Sequence, residues 1–399
     1  MIYLGIVSMI VAMGVTSLAT PWVIRLAAGL GAMDLPGGRK THAEPIPRIG
    51  GVAVFLGFVA GLGTAAFLSG VLLDRPQVDV HWIGLVLAAT LIFLFGILDD
   101  LWDVAFYWKF AAQILCAVYV WNAGFRIDII SHPLGGEIEL GALSLPVTVL
   151  WIVGITNAVN LIDGLDGLAA GTALITTVSV AVIAFAMNSL GVTATCVALA
   201  GSLIGFLRYN FNPARIFLGD SGSMFLGFVL AVASVRSSQK MPTALLVMIV
   251  PMLVLALPLL DTGMAIVRRL HRLTSRGRQT DRALRYVLRN LNHIFLPDRE
   301  HLHHRLIDLG LSHRGAVLAL YCVGLVFAVV AFTLTFAKSR LIGFLLLGLV
   351  VCAMAALLAV LYFRIRRLGE ARGEPVDEPS QSPEVGESWS PPSRQVQGR

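Results

Sequence analysis

Eleven long, mostly apolar segments run through this chain, and each has about the length that a helix needs to cross a lipid bilayer. Because the bilayer core holds no water, a spanning segment must satisfy its backbone N–H and C=O groups internally, as a helix does. The segments are 3–30, 50–73, 82–98, 108–123, 146–162, 168–187, 192–207, 221–237, 242–261, 315–337 and 341–362. The pattern therefore predicts an all-α polytopic membrane protein with about eleven transmembrane helices.

The amino-acid composition excludes the main alternatives to a membrane protein. Of the 399 residues, 57% are hydrophobic and only 14% are charged, against about 25% charged in an ordinary soluble protein. A soluble enzyme, a disulfide-rich secreted domain and a disordered chain all need more polar surface than this. The four cysteines lie in apolar runs without short mutual spacing, which argues against a metal site or a disulfide framework. They are Cys116, Cys196, Cys322 and Cys352.

The distribution of lysine and arginine predicts the orientation in the membrane. One set of loops, with the C-terminal tail, holds 22 of these residues, whereas the opposite set holds six. The richer set is cytoplasmic by the positive-inside rule, so the N-terminus lies outside and the C-terminus inside. The cytoplasmic loops are 31–49, 99–107, 163–167, 208–220 and 262–314. A net charge of +6 then reflects this bias and gives no argument for nucleic-acid binding.

Two regions outside the predicted spans have a distinct character. The external stretch 124–145 alternates weakly between apolar and polar residues around a Leu-Gly-Gly turn, which favours a short β-hairpin. The end of the chain is rich in Pro, Ser, Glu and Gly and has few large apolar residues. Residues 1–362 are therefore predicted to form one transmembrane domain, and residues 363–399 a disordered cytoplasmic tail.

Carboxylates gather at the cytoplasmic ends of separate predicted helices. Asp99 and Asp100 follow the third span, Asp163 and Asp166 follow the fifth, and Asp220 opens the eighth. Dehydrated carboxylates at a membrane edge are costly and usually functional. Hard oxygen ligands of this kind suit Mg²⁺, which keeps water and substrate phosphate oxygens in its shell. Free N–H groups at the start of the eighth span would also favour phosphate.

Each of these signals has a simpler interpretation when it is taken alone. Asp220 before a serine is typical of a helix N-cap, and Asp99-Asp100-x-x-Asp103 is typical of an ordinary acidic loop. Asp261 is interpreted as a membrane-edge residue outside the site. The arginines of the last cytoplasmic loop are typical of a membrane-surface patch. The convergence of several motifs on one face favours a functional site over these separate interpretations.

Five motifs in order give the chain a close resemblance to the polyprenyl-phosphate N-acetylhexosamine-1-phosphate transferases. The resemblance covers roughly residues 30–315. The motifs are His42-x-x-Pro45-x-Pro47-Arg48-x-Gly50-Gly51, Asp99-Asp100-x-x-Asp103, Asn157-x-x-Asn160-x-x-Asp163-Gly-x-Asp166-Gly-Leu-Ala, Asn210-x-x-Pro213-Ala-x-x-Phe-Leu-Gly-Asp220-x-Gly and Asp298-Arg-Glu-His301-Leu-His-His-Arg-Leu306. The histidine motif is similar to the branch that transfers N-acetylglucosamine-1-phosphate to undecaprenyl phosphate. The muramoyl-pentapeptide branch usually has three consecutive histidines there.

The resemblance implies a reaction, a cofactor and partners. N-acetylglucosamine-1-phosphate would move from UDP-N-acetylglucosamine to undecaprenyl phosphate, with Mg²⁺ as cofactor and Mn²⁺ as a substitute. This would be the first membrane step in the biosynthesis of a cell-envelope polysaccharide, and it would take place at the bacterial inner membrane. Some members of the family are homodimers, so the resemblance also implies a possible homodimer. Phospho-N-acetylmuramoyl-pentapeptide transfer is the alternative within the family. A secondary transporter is the alternative outside it, and predicts binding residues near the bilayer midplane.

The resemblance also implies residue roles. Asp220 and Asn160 would hold the metal, while Asp99 would be a base near the lipid phosphate and Asp100 would shape the site. Asp163 and Asp166 would order the metal region and the nucleotide. The implied substrate-binding residues are Asn210 for the nucleoside, His301, His303, His304 and Arg305 for the diphosphate and sugar, and Lys40, His42 and Arg48 for the lipid phosphate.

Overall fold

The computed structural model describes residues 2–36, 44–73, 80–131, 137–238 and 311–336, together with residues 348, 349 and 352. Within these ranges the chain is mostly helical. The helices are α1 (Ile2–Leu30), α2 (Gly51–Leu73), α3 (Val80–Trp102), α4 (Phe106–Asn122), α5 (Ser144–Leu161), α6 (Leu168–Ala186), α7 (Leu190–Asn210), α8 (Gly219–Ser238) and α9 (His313–Phe336). The predicted spans 242–261 and 341–362 and the last cytoplasmic loop lie outside the described residues or almost entirely so.

Seven of the described helices are long and apolar enough to cross a membrane, which is consistent with a polytopic membrane protein. The remaining two described helices are α4, which has 17 residues, and α8. α8 is the centre of the bundle, because it packs against α2, α3, α5, α6 and α7. Its side chains from Met224 to Val235 are almost all fully buried. A helix in that position contacts other helices and needs no lipid-facing surface.

Two short antiparallel ribbons modify the prediction of an all-α chain. The ribbon of β1 (Met33–Asp34) and β2 (Ile46–Pro47) closes the first predicted loop onto the bundle. The ribbon of β3 (Ile129–Ser131) and β4 (Glu137–Glu139) is the predicted hairpin, and Ile130 pairs with Ile138 in it. A single helical turn, Gly141–Leu143, leads from this hairpin into α5.

Helices that run in opposite directions bring their ends together at one end of the bundle, here called the site end. There α3 and α5 finish and α4 and α8 begin, so the last turns of two helices face the first turns of two others. The hairpin lies at the other end, where Ile127 packs against Val235 near the end of α8. The polar helix ends that form the candidate site thus lie at one end of the bundle, and the rest of the bundle is mostly apolar.

Candidate active site

The Asp220 carboxylate is the centre of the site end, because groups from two other helices bind its two oxygens. The Lys109 ammonium of α4 donates to Oδ2 at 2.8 Å. The side-chain amide of Asn160, in the last turn of α5, donates to Oδ1 at 3.0 Å and to Ser223 Oγ at 2.9 Å. Residues far apart in sequence, on α4, α5 and α8, therefore meet on one carboxylate.

Asp100 fixes the beginning of α8 from a different helix. Its Oδ1 accepts the backbone N–H of Asp220 at 2.8 Å, and its Oδ2 accepts that of Ser221 at 3.0 Å. The side chain therefore caps α8 from outside, since the first N–H groups of a helix have no partner within it. The Asp220 carboxylate therefore does not cap α8, contrary to the N-cap interpretation, and it binds Lys109 and Asn160 instead. Of the N–H groups expected to favour phosphate, these two are already bonded to Asp100.

Gly219 makes the close approach of the first loop to α8 feasible. Its φ is +74°, a left-handed conformation that glycine adopts without the penalty that a Cβ brings. A Cβ at this position would also overlap the carbonyl oxygen of Arg48 and crowd the Asp100 carboxylate. The glycine before Asp220 is thus needed on both conformational and steric grounds.

Asp99 lies one residue earlier on α3 and shares a cation with Asp220. Its Oδ2 forms an ion pair with Lys109, and its Oδ1 accepts the backbone N–H of Val104 at 2.8 Å. The side chain is almost fully buried, whereas about 30% of the Asp220 side chain is exposed. Lys109 therefore lies between two carboxylates, and Asp220 is the more accessible of the two.

Asp163 lies in the loop after α5, close to the charges of Asp100 and Asp220. Burial in the first place, and then the negative charges of Asp220 and Asp100, raise the pKa of Asp163 to about 8. The folded protein therefore keeps this group protonated at a pH at which the unfolded chain, with an ordinary value near 3.8, has already released the proton.

This shift predicts how stability depends on pH. A carboxyl group whose pKa is raised on folding stabilises the protein fully below about pH 4 and loses that contribution as the pH rises to about 8. In thermal unfolding with EDTA present, the melting temperature of the wild-type protein should therefore fall between pH 5 and pH 8. The Asp163→Asn variant should show a flatter profile over this range. Parallel profiles for the two proteins would contradict the prediction.

Asp166 belongs to a second set of contacts, which joins two loops to α9. Its Oδ2 accepts the side-chain amide of Asn212 at 2.8 Å and the backbone N–H of Ala214 at 3.0 Å. Arg314, at the start of α9, donates to the carbonyl oxygen of Asn212 at 2.9 Å. Tyr321 of α9 donates its hydroxyl to the carbonyl oxygen of Gly167 at 2.5 Å. The start of α9 thus holds the loop that carries Asp163 and Asp166.

The remaining predicted substrate-binding residues differ in their placement. Asn210 ends α7, is only 2% exposed, and donates to the carbonyl oxygen of Ile216 at 2.9 Å, so in this structure it shapes the 211–218 loop. Arg48 lies beside the site end, where it pairs with the exposed Asp103 at 3.3 Å. The predicted contacts of both with substrate stay predictions. The other six lie outside the described residues: Lys40, His42, His301, His303, His304 and Arg305.

Lys109 is a candidate functional residue that the sequence motifs did not reveal, because its ammonium pairs with both Asp99 and Asp220. The hydropathy pattern places it in the apolar span 108–123, and it belongs to none of the five motifs. The signal was nevertheless present, because a lone ionisable residue in an apolar segment is by default a candidate for function. In the structure, Lys109 lies in the first turn of α4, which begins at Phe106, and its ammonium is directed at Asp99 and Asp220.

The donor set suits a hard divalent cation, although the protein groups alone do not form a complete coordination shell. Among the described residues, no three Asp, Glu, His or Cys side chains converge closely enough to hold a metal ion. Mg²⁺ is usually bound by one or two carboxylates together with water and substrate phosphate oxygens. Asp220, partly exposed and close to Asp99, Asp100 and Asp163, fits a site of that kind, which substrate completes.

The described helices form a bundle of the membrane type with a cluster of carboxylates at one end, and comparison with known proteins identifies its family. A model of the family described as "Glycosyl transferase family 4" matches residues 82–238, which contain Asp99, Lys109, Asn160 and Asp220. A probable undecaprenyl-phosphate N-acetylglucosaminyl 1-phosphate transferase of Bacillus subtilis is 38% identical over 347 residues. That alignment covers 87% of this chain and 89% of the relative.

A decaprenyl-phosphate N-acetylglucosaminephosphotransferase of Mycobacterium tuberculosis is 36% identical over 377 residues, covering 87% of each chain. A phospho-N-acetylmuramoyl-pentapeptide-transferase of Clostridium perfringens is 46% identical over 112 residues, which are 28% of this chain and 34% of the relative. The chain belongs to glycosyl transferase family 4. With seven candidate spans among the described residues, it is a multi-pass membrane protein.

Proposed function

We propose that this protein transfers N-acetylglucosamine-1-phosphate from UDP-N-acetylglucosamine to a polyprenyl phosphate, with release of UMP. The observation that carries the proposal is the Asp220 carboxylate held between Lys109 and Asn160, with Asp99 and Asp100 beside it. The relatives that align over 87% of the chain support it, because both are named as transferases of N-acetylglucosamine phosphate to a prenyl phosphate. Undecaprenyl phosphate is the proposed acceptor.

The chemistry explains why the site is built from charges and amides. A phosphate oxygen of the lipid attacks the phosphorus that bears the sugar, the bond from that phosphorus to the UMP oxygen breaks, and a lipid diphosphate forms. Both reactants are anions, so their mutual repulsion must be offset. Transfer at phosphorus depends mainly on position and charge stabilisation. The proposed Mg²⁺, when bound, neutralises the diphosphate and stabilises the charge on the oxygen that leaves.

The residues divide this work between them. Asp220 is proposed as the metal-binding carboxylate, because it is the accessible one and is oriented from both sides by Lys109 and Asn160. Lys109 is proposed to bind the phosphate of an incoming substrate, since its ammonium lies between the Asp99 and Asp220 carboxylates. Asp99 is proposed as a base towards the lipid phosphate. Asp100 holds α8 in place from outside.

The topology proposed for the membrane extends the seven candidate spans to eleven helices. The N-terminus would lie outside and the site end would face the cytoplasm, which supplies UDP-sugars. The bacterial inner membrane is the proposed location. Residues 363–399 are proposed to be a disordered cytoplasmic tail and the last cytoplasmic loop to bind diphosphate and sugar, as the sequence motifs suggest.

Two other functions fit less well. Phospho-N-acetylmuramoyl-pentapeptide transfer would use the same site end, but the relatives with that name match only about a third of the chain, 28% and 35% in two of them. A secondary transporter would place its binding groups near the bilayer midplane. Here Asp99, Asp100 and Asp220 lie in the first or last turns of helices, and Asp163 and Asp166 lie in the loop after α5, all at one end of the bundle.

The direct test uses the purified protein in lipid nanodiscs with undecaprenyl phosphate, Mg²⁺ and radiolabelled UDP-N-acetylglucosamine. Label should become butanol-extractable with release of an equal amount of UMP, and EDTA should stop the reaction. UDP-N-acetylmuramoyl-pentapeptide and UDP-N-acetylgalactosamine serve as competing donors. Transfer from the pentapeptide donor alone would favour the other branch. The absence of labelled lipid with every donor would contradict the proposed function.

A further inference from the structure

A partly buried hydrogen bond between two side-chain amides joins α4 to α5. The Nδ2 group of Asn157 donates to Gln113 Oε1 at 2.6 Å, and its second hydrogen bonds to the carbonyl oxygen of Val153 at 2.8 Å. Gln113 is only 1% exposed. Both protons of the Asn157 amide are therefore used, and one of the two bonds crosses between helices.

This amide pair lies directly behind the groups that hold Asp220. Gln113 is four residues after Lys109 on α4, and Asn157 is three residues before Asn160 on α5. Residues at these spacings lie on the same face of a helix, one turn apart. Lys109 and Asn160 in turn bind the two oxygens of the Asp220 carboxylate. The hydrogen bond between Gln113 and Asn157 thus lies one helical turn away from Lys109 and Asn160, the two residues through which α4 and α5 bind Asp220.

We propose that Gln113 and Asn157 are a positioning pair for the transfer reaction. They hold α4 and α5 in the register at which Lys109 and Asn160 reach Asp220 together. The proposal rests on the proposed function, but neither residue contacts Asp220, Asp99 or Lys109 in the hydrogen bonds of this structure. Gln113 and Asn157 therefore act through Lys109 and Asn160.

The geometry of the Gln113–Asn157 pair favours a role in fixing the register of α4 and α5 over a merely stabilising contact between the two helices. An apolar contact between α4 and α5 would tolerate sliding, whereas an amide pair of 2.6 Å has one register in which both partners are satisfied. A displacement of about 1 Å at a reacting group can lower a rate by about 10²-fold. If α4 and α5 lost this register, the rate of the chemical step should therefore fall more than the affinity for UDP-sugar.

The chain offers a matched control at a distance from the site. Trp151 of α5 donates its Nε1 proton to Ser234 of α8 at 3.1 Å, which is also a side-chain hydrogen bond between helices. Ser234 is fourteen residues after Asp220, about 20 Å along the helix axis. Ser234→Ala removes a cross-helix hydrogen bond without touching the site end.

The experiment compares kcat and KM of the wild type, Gln113→Ala, Asn157→Ala, their double variant, the exchanged variant Gln113→Asn/Asn157→Gln, and Ser234→Ala. Each single variant should lose about tenfold or more in kcat, with KM for UDP-N-acetylglucosamine within about twofold. The double variant should be no slower than the slower single variant, because the two residues act as one unit. The exchanged variant should recover part of kcat, and Ser234→Ala should match the wild type. Full kcat in a folded Asn157→Ala protein would overturn the proposal.

A second measurement separates this proposal from the proposed function. The rate at which an amine-reactive ester labels Lys109 is followed by mass spectrometry, with Lys40, Lys240 and Lys338 as internal references. Lys109 should be labelled about threefold or more faster in Asn157→Ala than in the wild type, and unchanged in Ser234→Ala. This holds even if no transfer activity is found, which would defeat the proposed function alone. Equal labelling in Asn157→Ala and the wild type would overturn the positioning role.

Discussion

Replacing Asp220 by asparagine should abolish transfer while the protein stays folded. The variant keeps the shape of the side chain but removes the charge that Lys109 and Asn160 orient. We expect the rate to fall by about 10³-fold or more, which corresponds to about 4 kcal/mol of lost transition-state stabilisation. Loss of the Asp220 charge also removes its repulsion of Asp99 and Asp100, and this offsets part of the stability that is lost with the Lys109 ion pair. The melting temperature should therefore change little.

The matched control is the same substitution at the other end of the bundle. Asp128 accepts a hydrogen bond from Ser144 at 2.9 Å and pairs with Arg126, far from Asp220. Asp128→Asn should transfer at a rate within about twofold of the wild type. The two variants are compared by release of UMP at saturating Mg²⁺ and by thermal unfolding. Near-normal activity of Asp220→Asn would contradict its proposed role in metal binding.

The spans were largely predictable from the sequence, because apolar length has a direct physical meaning in a bilayer. The predicted segments 3–30 and 168–187 agree closely with α1 and α6. The errors lie at the site end, where polar residues belong to helices. Hydropathy predicts that the third span stops at residue 98, yet α3 continues to Trp102 and carries Asp99 and Asp100 in its last turn. A polar residue at a helix end reads as a loop residue when only hydropathy is considered.

The carboxylates at the site end and Asn160 were also predictable, whereas Lys109 and the hydrogen-bond partner of each oxygen were not. Asp99, Asp100, Asp163 and Asp220 stand out because charge is scarce in this chain. The pairing of one particular oxygen with Lys109 or Asn160 depends on helix rotation and on crossing of α4, α5 and α8, which no local pattern encodes. The same holds for Asp100, whose capping of α8 joins residues 120 positions apart. Tertiary packing, not local sequence, decides which of several acidic residues is oriented.

Removing the charge of Lys109 should affect both activity and stability. In Lys109→Met the apolar length of the side chain is kept, but Asp99 and Asp220 lose the cation that lies between them. We expect transfer to fall by about 10²-fold or more, because two anionic substrates then meet an uncompensated cluster of carboxylates. Stability should fall by about 3 kcal/mol, the lower end of the range for broken buried ion pairs, since a quarter of the lysine side chain is exposed.

Two further variants distinguish the catalytic effect from the structural one. Lys109→Arg keeps the charge, so its stability should be close to that of the wild type, but the planar guanidinium cannot occupy the place of a compact ammonium and activity should recover only in part. In Lys109→Met/Asp99→Asn the charge balance is restored, so stability should return, while transfer stays low because both the cation and the proposed base are absent. If that double variant regained full activity, Lys109 would serve only to neutralise Asp99, and Asp99 would not be the base. If Lys109→Met alone kept its rate within about threefold of the wild type, Lys109 would have no part in the reaction, and Asp220 would act with Asn160 as its main partner.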